Sequence, residues 1–215
     1  MTGAHHQIIY NPMSDAHKET IPGRVTRELA EQIIRGDLRP GERLRQNDIA
    51  EAFETSHVPV REAFLRLEGL GLAISRPRRG FVVTEVDPAE ASQIVDMRKA
   101  LETLALRQAV PHFRPLELRE ATELADRCND ARTFTEWESA NRAFHRALVT
   151  PCGNKRLLKI LDELMLTSAR LIFLNRQKYW RPRVDQDHAH ILNAIARKNA
   201  DLAAAVLSRH IGRAR

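Results

Sequence analysis

The sequence predicts a mostly α-helical chain, an N-terminal winged helix-turn-helix followed by an all-α helical bundle. Two observations carry this fold class. Over residues 20–86, three short stretches of helical apolar spacing precede two β-branched or apolar runs that flank a basic turn. From residue 87 to 215 only helical periods occur, separated by proline, glycine and capping signals. At 215 residues the chain is long enough for two domains with cores of their own.

Residues 1–19 carry two early histidines and no sustained periodicity, and they are read as a mobile N-terminal extension. In the first helix Val25, Leu29, Ile33 and Ile34 fall on one face, and Gly36 and Pro40-Gly41 stop it. A short second helix turns Ile49, Ala50 and Phe53 inward. The third starts in "SHVPVREA": Ser56 suits an N-cap, and Pro59 falls in the first turn, where its missing N–H has no intrahelical partner to lose. This helix runs to about Leu70 with Val60, Phe64 and Leu67 on its buried side. The runs Leu72-Ala73-Ile74 and Phe81-Val82-Val83-Thr84, joined through Arg76-Pro77-Arg78-Arg79-Gly80, then form a hairpin with a basic tip.

Such a module places the second helix of its pair in the DNA major groove and its wing on the backbone or minor groove. The candidate DNA contacts are therefore Arg45, Asn47, His57, Arg61 and Arg66 on the helices, and Arg76, Arg78 and Arg79 on the wing, all donors for base edges or phosphates. Bulk charge does not reveal this. The chain carries a net +6, which permits a nucleic-acid partner, yet residues 20–86 hold 11 Arg against 10 acids. Placement of the arginines makes the argument.

Over residues 21–84 the chain resembles the DNA-binding domain of the bacterial GntR family of transcription regulators. The resemblance is specific because G-x-L-x-P-G-x-x-L, the P-V-R-E-A core and the wing R-x-R-G occur together and in order. Two departures stand out. The family usually has Arg where this chain has His57, and a small capping residue followed by Glu where it has Arg45-Gln46, which implies an altered operator preference on an unaltered fold.

Asp87-Pro88-Ala89-Glu90 opens the second domain with an N-cap and a proline in the first turn. Helices are expected at about 88–109, 115–131, 136–149, 154–178, 184–197 and 200–213, the third behind a Thr135-x-x-Glu138 capping box. Polar residues interrupt the apolar stripes. Trp137, Asn141, Phe144, His145 and Leu148 share one face; His188 shares another with Ile191, Leu192 and Ile195; His210 shares a third with Leu202 and Val206. Histidines pointing inward from three helices are costly unless they satisfy one another, a ligand or a metal. Neutral imidazoles joined by one oxygen donor would suit a transition metal with coordination positions left open. His190 faces away from His188 and is left out.

The helical half resembles the FadR-like branch of GntR regulators, whose ligand-sensing domain shows R-x-x-L-E, D-x-x-F-H, E-H-x-x-I and a terminal His. Here these read "RKALE" (Arg98 to Glu102), "NRAFH" at 141–145, "DHAHI" at 187–191 and "SRH" ending at His210. The resemblance implies a divalent metal, Zn with Ni or Mn as alternatives, on His145, His188 and His210, with Asn141 replacing the carboxylate ligand. An amide oxygen brings no negative charge, so affinity should fall. Arg98, by that motif, and Arg170, by its place on the long helix, are candidates for an anionic effector.

The expected function is a non-enzymatic repressor acting on double-stranded operator DNA as a homodimer and controlled by a small carboxylate. The alternatives are a sensor of the metal ion itself and a metal-dependent hydrolase, against which the H-E-x-x-H and H-x-x-E-H spacings are absent. No stretch approaches the ~18 apolar residues of a membrane span, and no signal pattern opens the chain. Cys128 and Cys152 are neither a disulfide framework nor a metal pair. The chain is read as bacterial and cytoplasmic.

Overall fold

The structure, a computed structural model, describes residues 19–213, apart from the side chains of residues 175, 176 and 178. The extension expected at 1–19 lies, through residue 18, outside the described residues. Helix α1 (Ile21–Arg35) is capped by Thr20, whose hydroxyl accepts from the Gly23 amide, and ends at Gly36, which takes the left-handed φ of 82°. It is followed by α2 (Gln46–Ala52) and α3 (His57–Gly69). Strands β1 (Ala73–Arg76) and β2 (Gly80–Val83) form the wing, antiparallel from Ala73↔Val83 to Arg76↔Gly80. Residues 41–44 line the other edge of β2: the Leu44 amide donates to Phe81, and Val83 donates to Glu42. The wing turn needs positive φ at Arg78 (61°) and Gly80 (71°), which glycine adopts freely and arginine does not.

Ser56 occupies the N-cap of α3 as expected, but its hydroxyl accepts no hydrogen bond. Gln46 braces that helix start instead, its Nε2 donating to the His57 carbonyl at 2.6 Å. Gln46 therefore ties α2 to the opening of α3.

The C-terminal part is helical throughout the described residues: α4 (Ala91–Ala109), α5 (Pro115–Asp130), α6 (Phe134–Val149), α7 (Lys155–Arg176), α8 (Gln186–Ala196) and α9 (Ala200–Gly212). The expected spans lie within a few residues of these. Two details differ. The capping box before α6 is Thr133/Glu136, not Thr135/Glu138: Thr133 accepts from the Glu136 amide and Glu136 accepts from the Thr133 amide. Starting two residues earlier sinks Phe134 into the core, edge-on to Phe173 at 4.7 Å between ring centres, and leaves Glu138 free to be buried beside Arg142. On α9 the buried face is Ala203, Val206, Leu207 and Ile211, while Leu202 is 50% exposed, because α4 and α8 pack on the stripe one residue away.

The two domains share packing. Phe134, Leu166, Ala169 and Phe173 of α6 and α7 join the core that holds Val25, Leu29, Ile33 and Phe64. Two polar struts reinforce the junction: Arg142 reaches Glu31 of α1 at 2.8 Å, and Arg170 of α7 donates to the Thr84 hydroxyl and carbonyl just beyond β2. A separate core of Phe144, Leu148, Ile191, Ile195, Leu207 and others fills the helical domain. No described helix is long and apolar enough to cross a membrane.

Candidate functional site

Helix α6 carries Asn141 and His145 one turn apart, α8 supplies His188 from its first turn, and α9 supplies His210 from its last. The three histidines converge: each offers one ring nitrogen, and those nitrogens all lie within 4.8 Å of one another. Nε2 of His145 and Nε2 of His210 are 3.2 Å apart. His188, 1% exposed with Phe144 stacked 4.2 Å away, has no hydrogen-bond partner on either nitrogen. The buried Oδ1 of Asn141 is likewise unpartnered. His190 is exposed.

Carboxylates orient this cluster. Glu102, fully buried, lies 2.7 Å from Nδ1 of His145 and accepts from Arg98 Nε at 2.7 Å, while Arg98 Nη1 donates to Ser168. Burial by itself would raise the Glu102 carboxyl, but Arg98 and His145 outweigh it and hold it below the usual carboxylate range. An ionised Glu102 fixes the proton of His145 on Nδ1 and turns the Nε2 lone pair to the cluster. Asp185 stands 3.4 Å from Nδ1 of His210, and neighbouring Asp187 is held by Arg209 and Arg213. A carboxylate behind each of two imidazoles is the usual support of a histidine metal ligand.

Burial pulls His188 down to about 4, and burial also depresses His210 strongly. Both therefore stay neutral at pH 7, the state that can ligate. The same depression has a stability consequence. Between pH 6.5 and 4 the unfolded chain binds a proton that folded His188 refuses, so metal-free protein is stable above that window and loses stability as pH falls through it. For His188 alone the expected loss between pH 7 and 5 is about 2 kcal/mol, and His210 adds to it in the same direction, so urea unfolding in chelator should show at least that loss; a flat profile would contradict the burial.

Other candidate residues fall elsewhere. Arg45, Asn47, His57 and Arg61 are exposed at the opening turns of α2 and α3, and Arg76, Arg78 and Arg79 are exposed on the wing. Arg66 is half-buried and ion-paired to Glu62 at 2.5 Å. Arg98 belongs to the histidine network, whereas Arg170 bonds Thr84 at the domain junction, where burial lowers its guanidinium to about 10. Cys128 is buried, which pushes its thiol up to about 12, and Cys152 is half-buried; both are free. Glu102, Ser168 and Asp185 are the site residues that the sequence reading did not assign. For Glu102 the signal was its i,i+4 spacing from Arg98.

Residues 22–83 match the model of bacterial regulatory proteins of the gntR family, and residues 93–213 match the FCD domain. The chain is 28% identical over 218 residues to the HTH-type transcriptional regulator BphR of Paraburkholderia xenovorans (strain LB400), covering 94% of this chain and 86% of that one. It is 29% identical over 199 residues to the probable D-xylose utilization operon transcriptional repressor of Paenarthrobacter nicotinovorans, covering 90% and 87%. Among solved structures, Escherichia coli McbR/YncC superposes with a TM-score of 0.75 at 25% identity, covering 90% of this chain and 94% of that chain. These relatives are transcription regulators and not enzymes, which sets the hydrolase alternative aside. The chain belongs to the GntR family, as a DNA-binding transcription regulator whose helix-turn-helix is joined to a helical FCD domain.

Proposed function

We propose that the chain is a homodimeric repressor whose operator affinity is set by a small carboxylate bound beside a divalent metal in the helical domain. The observation that carries this reading is the convergence of three imidazoles, His145 and His188 buried and His210 half-buried, with both nitrogens of His188 and the Oδ1 of Asn141 left without partners. Unpartnered buried polar atoms are rare and costly, and Asn141 stands one helical turn before His145 on α6. His145, His188, His210 and Asn141 would hold the metal, an N3O set that suits zinc and tolerates nickel or manganese. The metal would supply open coordination positions for an effector carboxylate. Asn141 makes this version weaker than a carboxylate-bearing one.

On the DNA side, His57 and Arg61 at the opening of α3 would read base edges, with Arg45, Asn47 and the wing arginines Arg76, Arg78 and Arg79 on the backbone. A two-fold operator calls for a dimer. Arg66, paired to Glu62, would steady the helix and reach a phosphate at its edge. Helix α7 connects the two functions: Ser168 receives Arg98 from the histidine network, and two residues on, Arg170 grips Thr84 at the root of the wing. Ligand that withdraws Arg98 from Ser168 would act on the same turn that holds the wing. Regulation then follows from unequal ligand affinity for the two arrangements.

The test is elemental analysis of untagged protein purified without chelator, beside His188→Ala, which deletes a ligand without touching the Arg98, Glu102 and His145 contacts. About one transition metal per chain in the wild type and none in the variant is the expected result. A metal-free wild-type chain would sink the metal reading. A sensor of the metal alone would instead show operator affinity that follows metal with no carboxylate present.

A further inference from the structure

A cleft of about 790 Å³ opens where α1 meets α5, α6 and α7. It is distinct from the histidine cluster, since none of His145, His188 and His210 lines it. Leu70, Leu124, Ala140, Met165 and Leu166 give it an apolar surface, and six arginines stand against four acids around it. Arg142 and Arg146 are engaged, the first by Glu31 and Glu138 and the second by Asp162. Arg127 and Arg132 are exposed and make no side-chain hydrogen bond or ion pair among the described residues. Volumes of roughly 300–1,000 Å³ are those of small-molecule sites. Apolar surface under guanidinium groups favours an organic anion with a hydrophobic body and a carboxylate that a planar guanidinium can grip with two hydrogen bonds.

We propose that this interdomain cleft is a second, metal-independent effector site for an apolar carboxylate, bound by Arg127 and Arg132 and transmitted through Arg142. Arg142 holds two carboxylates of unequal standing. Glu138 lies on its own helix and is 3% exposed, so it stays. Glu31 comes from the DNA-binding domain and its side chain is 28% exposed, so it can be replaced. A ligand carboxylate that takes the place of Glu31 on Arg142 releases α1 from α6. The same exchange makes Glu31 a built-in competitor of the ligand.

The experiment is calorimetric titration of the full chain with 1-naphthoate in chelator, with inorganic phosphate as the apolar-free anion. Naphthoate is expected to bind and phosphate not. Affinity should persist in His188→Ala, fall at least tenfold in the double variant Arg127→Ser, Arg132→Ser, and rise severalfold in Glu31→Gln. Both serines replace exposed side chains, so the double variant keeps its fold, checked by circular dichroism. Three results would overturn the proposal: no naphthoate binding to the wild type, unchanged affinity in the double variant, or affinity lost in His188→Ala. A double variant that sediments as a smaller species than the wild type would also overturn it, showing that a second copy covers the cleft. Failure of the metal site is read separately, by elemental analysis.

Discussion

Arg98→Met is expected to destabilise the protein by about 3–5 kcal/mol. The cause lies in what stays behind. Glu102 is fully buried, and Arg98 is its guanidinium partner at 2.7 Å. Without that cation the carboxylate faces only His145, and Ser168 loses its donor as well. Glu102 then takes up a proton or draws water into the bundle, and either change frees His145 from its fixed tautomer. Urea unfolding of the two proteins at pH 7 measures the effect. Adding Glu102→Leu should recover part of the loss, because a buried ion pair replaced as a unit costs far less than one broken by half. A single-variant loss below about 1 kcal/mol would mean that Glu102 reaches solvent or another cation.

Arg61→Glu is expected to weaken specific DNA binding by about a thousandfold, roughly 4 kcal/mol. A good base contact is worth about 1–3 kcal/mol, and a carboxylate turned toward phosphates adds repulsion. Arg61 is exposed one helical turn after His57, while its neighbours Val60, Ala63 and Phe64 are buried, so the substitution alters the surface and leaves the core intact. The measurement is titration of DNA selected from a random pool by the wild-type chain, at several salt concentrations. Loss confined to the selected sequence identifies base reading. An equal loss on random DNA would reduce Arg61 to a phosphate contact, and an unchanged affinity would remove it from the interface.

Local signals made most of the architecture legible in the sequence. Proline in the first turn of α3, Gly36 after α1, and a basic turn between β-branched runs are rules that act within a few residues, and the structure follows them. Inward histidines were readable for the same reason, since the helical period assigns a face without reference to the partner. The sequence leaves the capping box of α6 ambiguous by two residues because both Thr133 and Thr135 have a glutamate three positions on. Burial of Phe134 among Phe173, Trp137 and Trp180 decides between them. The helical period puts Leu202 inward, yet it is exposed, because a short alanine-rich helix offers two similar stripes and only the packing of α4 and α8 chooses one.

By itself, then, the sequence determined the order and type of the elements, the family, and which three histidines leave the solvent. Tertiary structure alone decided that those histidines meet, that Glu102 and Asp185 stand behind two of them, and that Arg170 grips the wing root. It also brought Glu31 of one domain onto Arg142 of the other, across 111 positions of chain. The physical reason is range: capping, turn geometry and helical period are settled by neighbours in sequence, whereas a buried charge finds its partner only through the packing of distant helices.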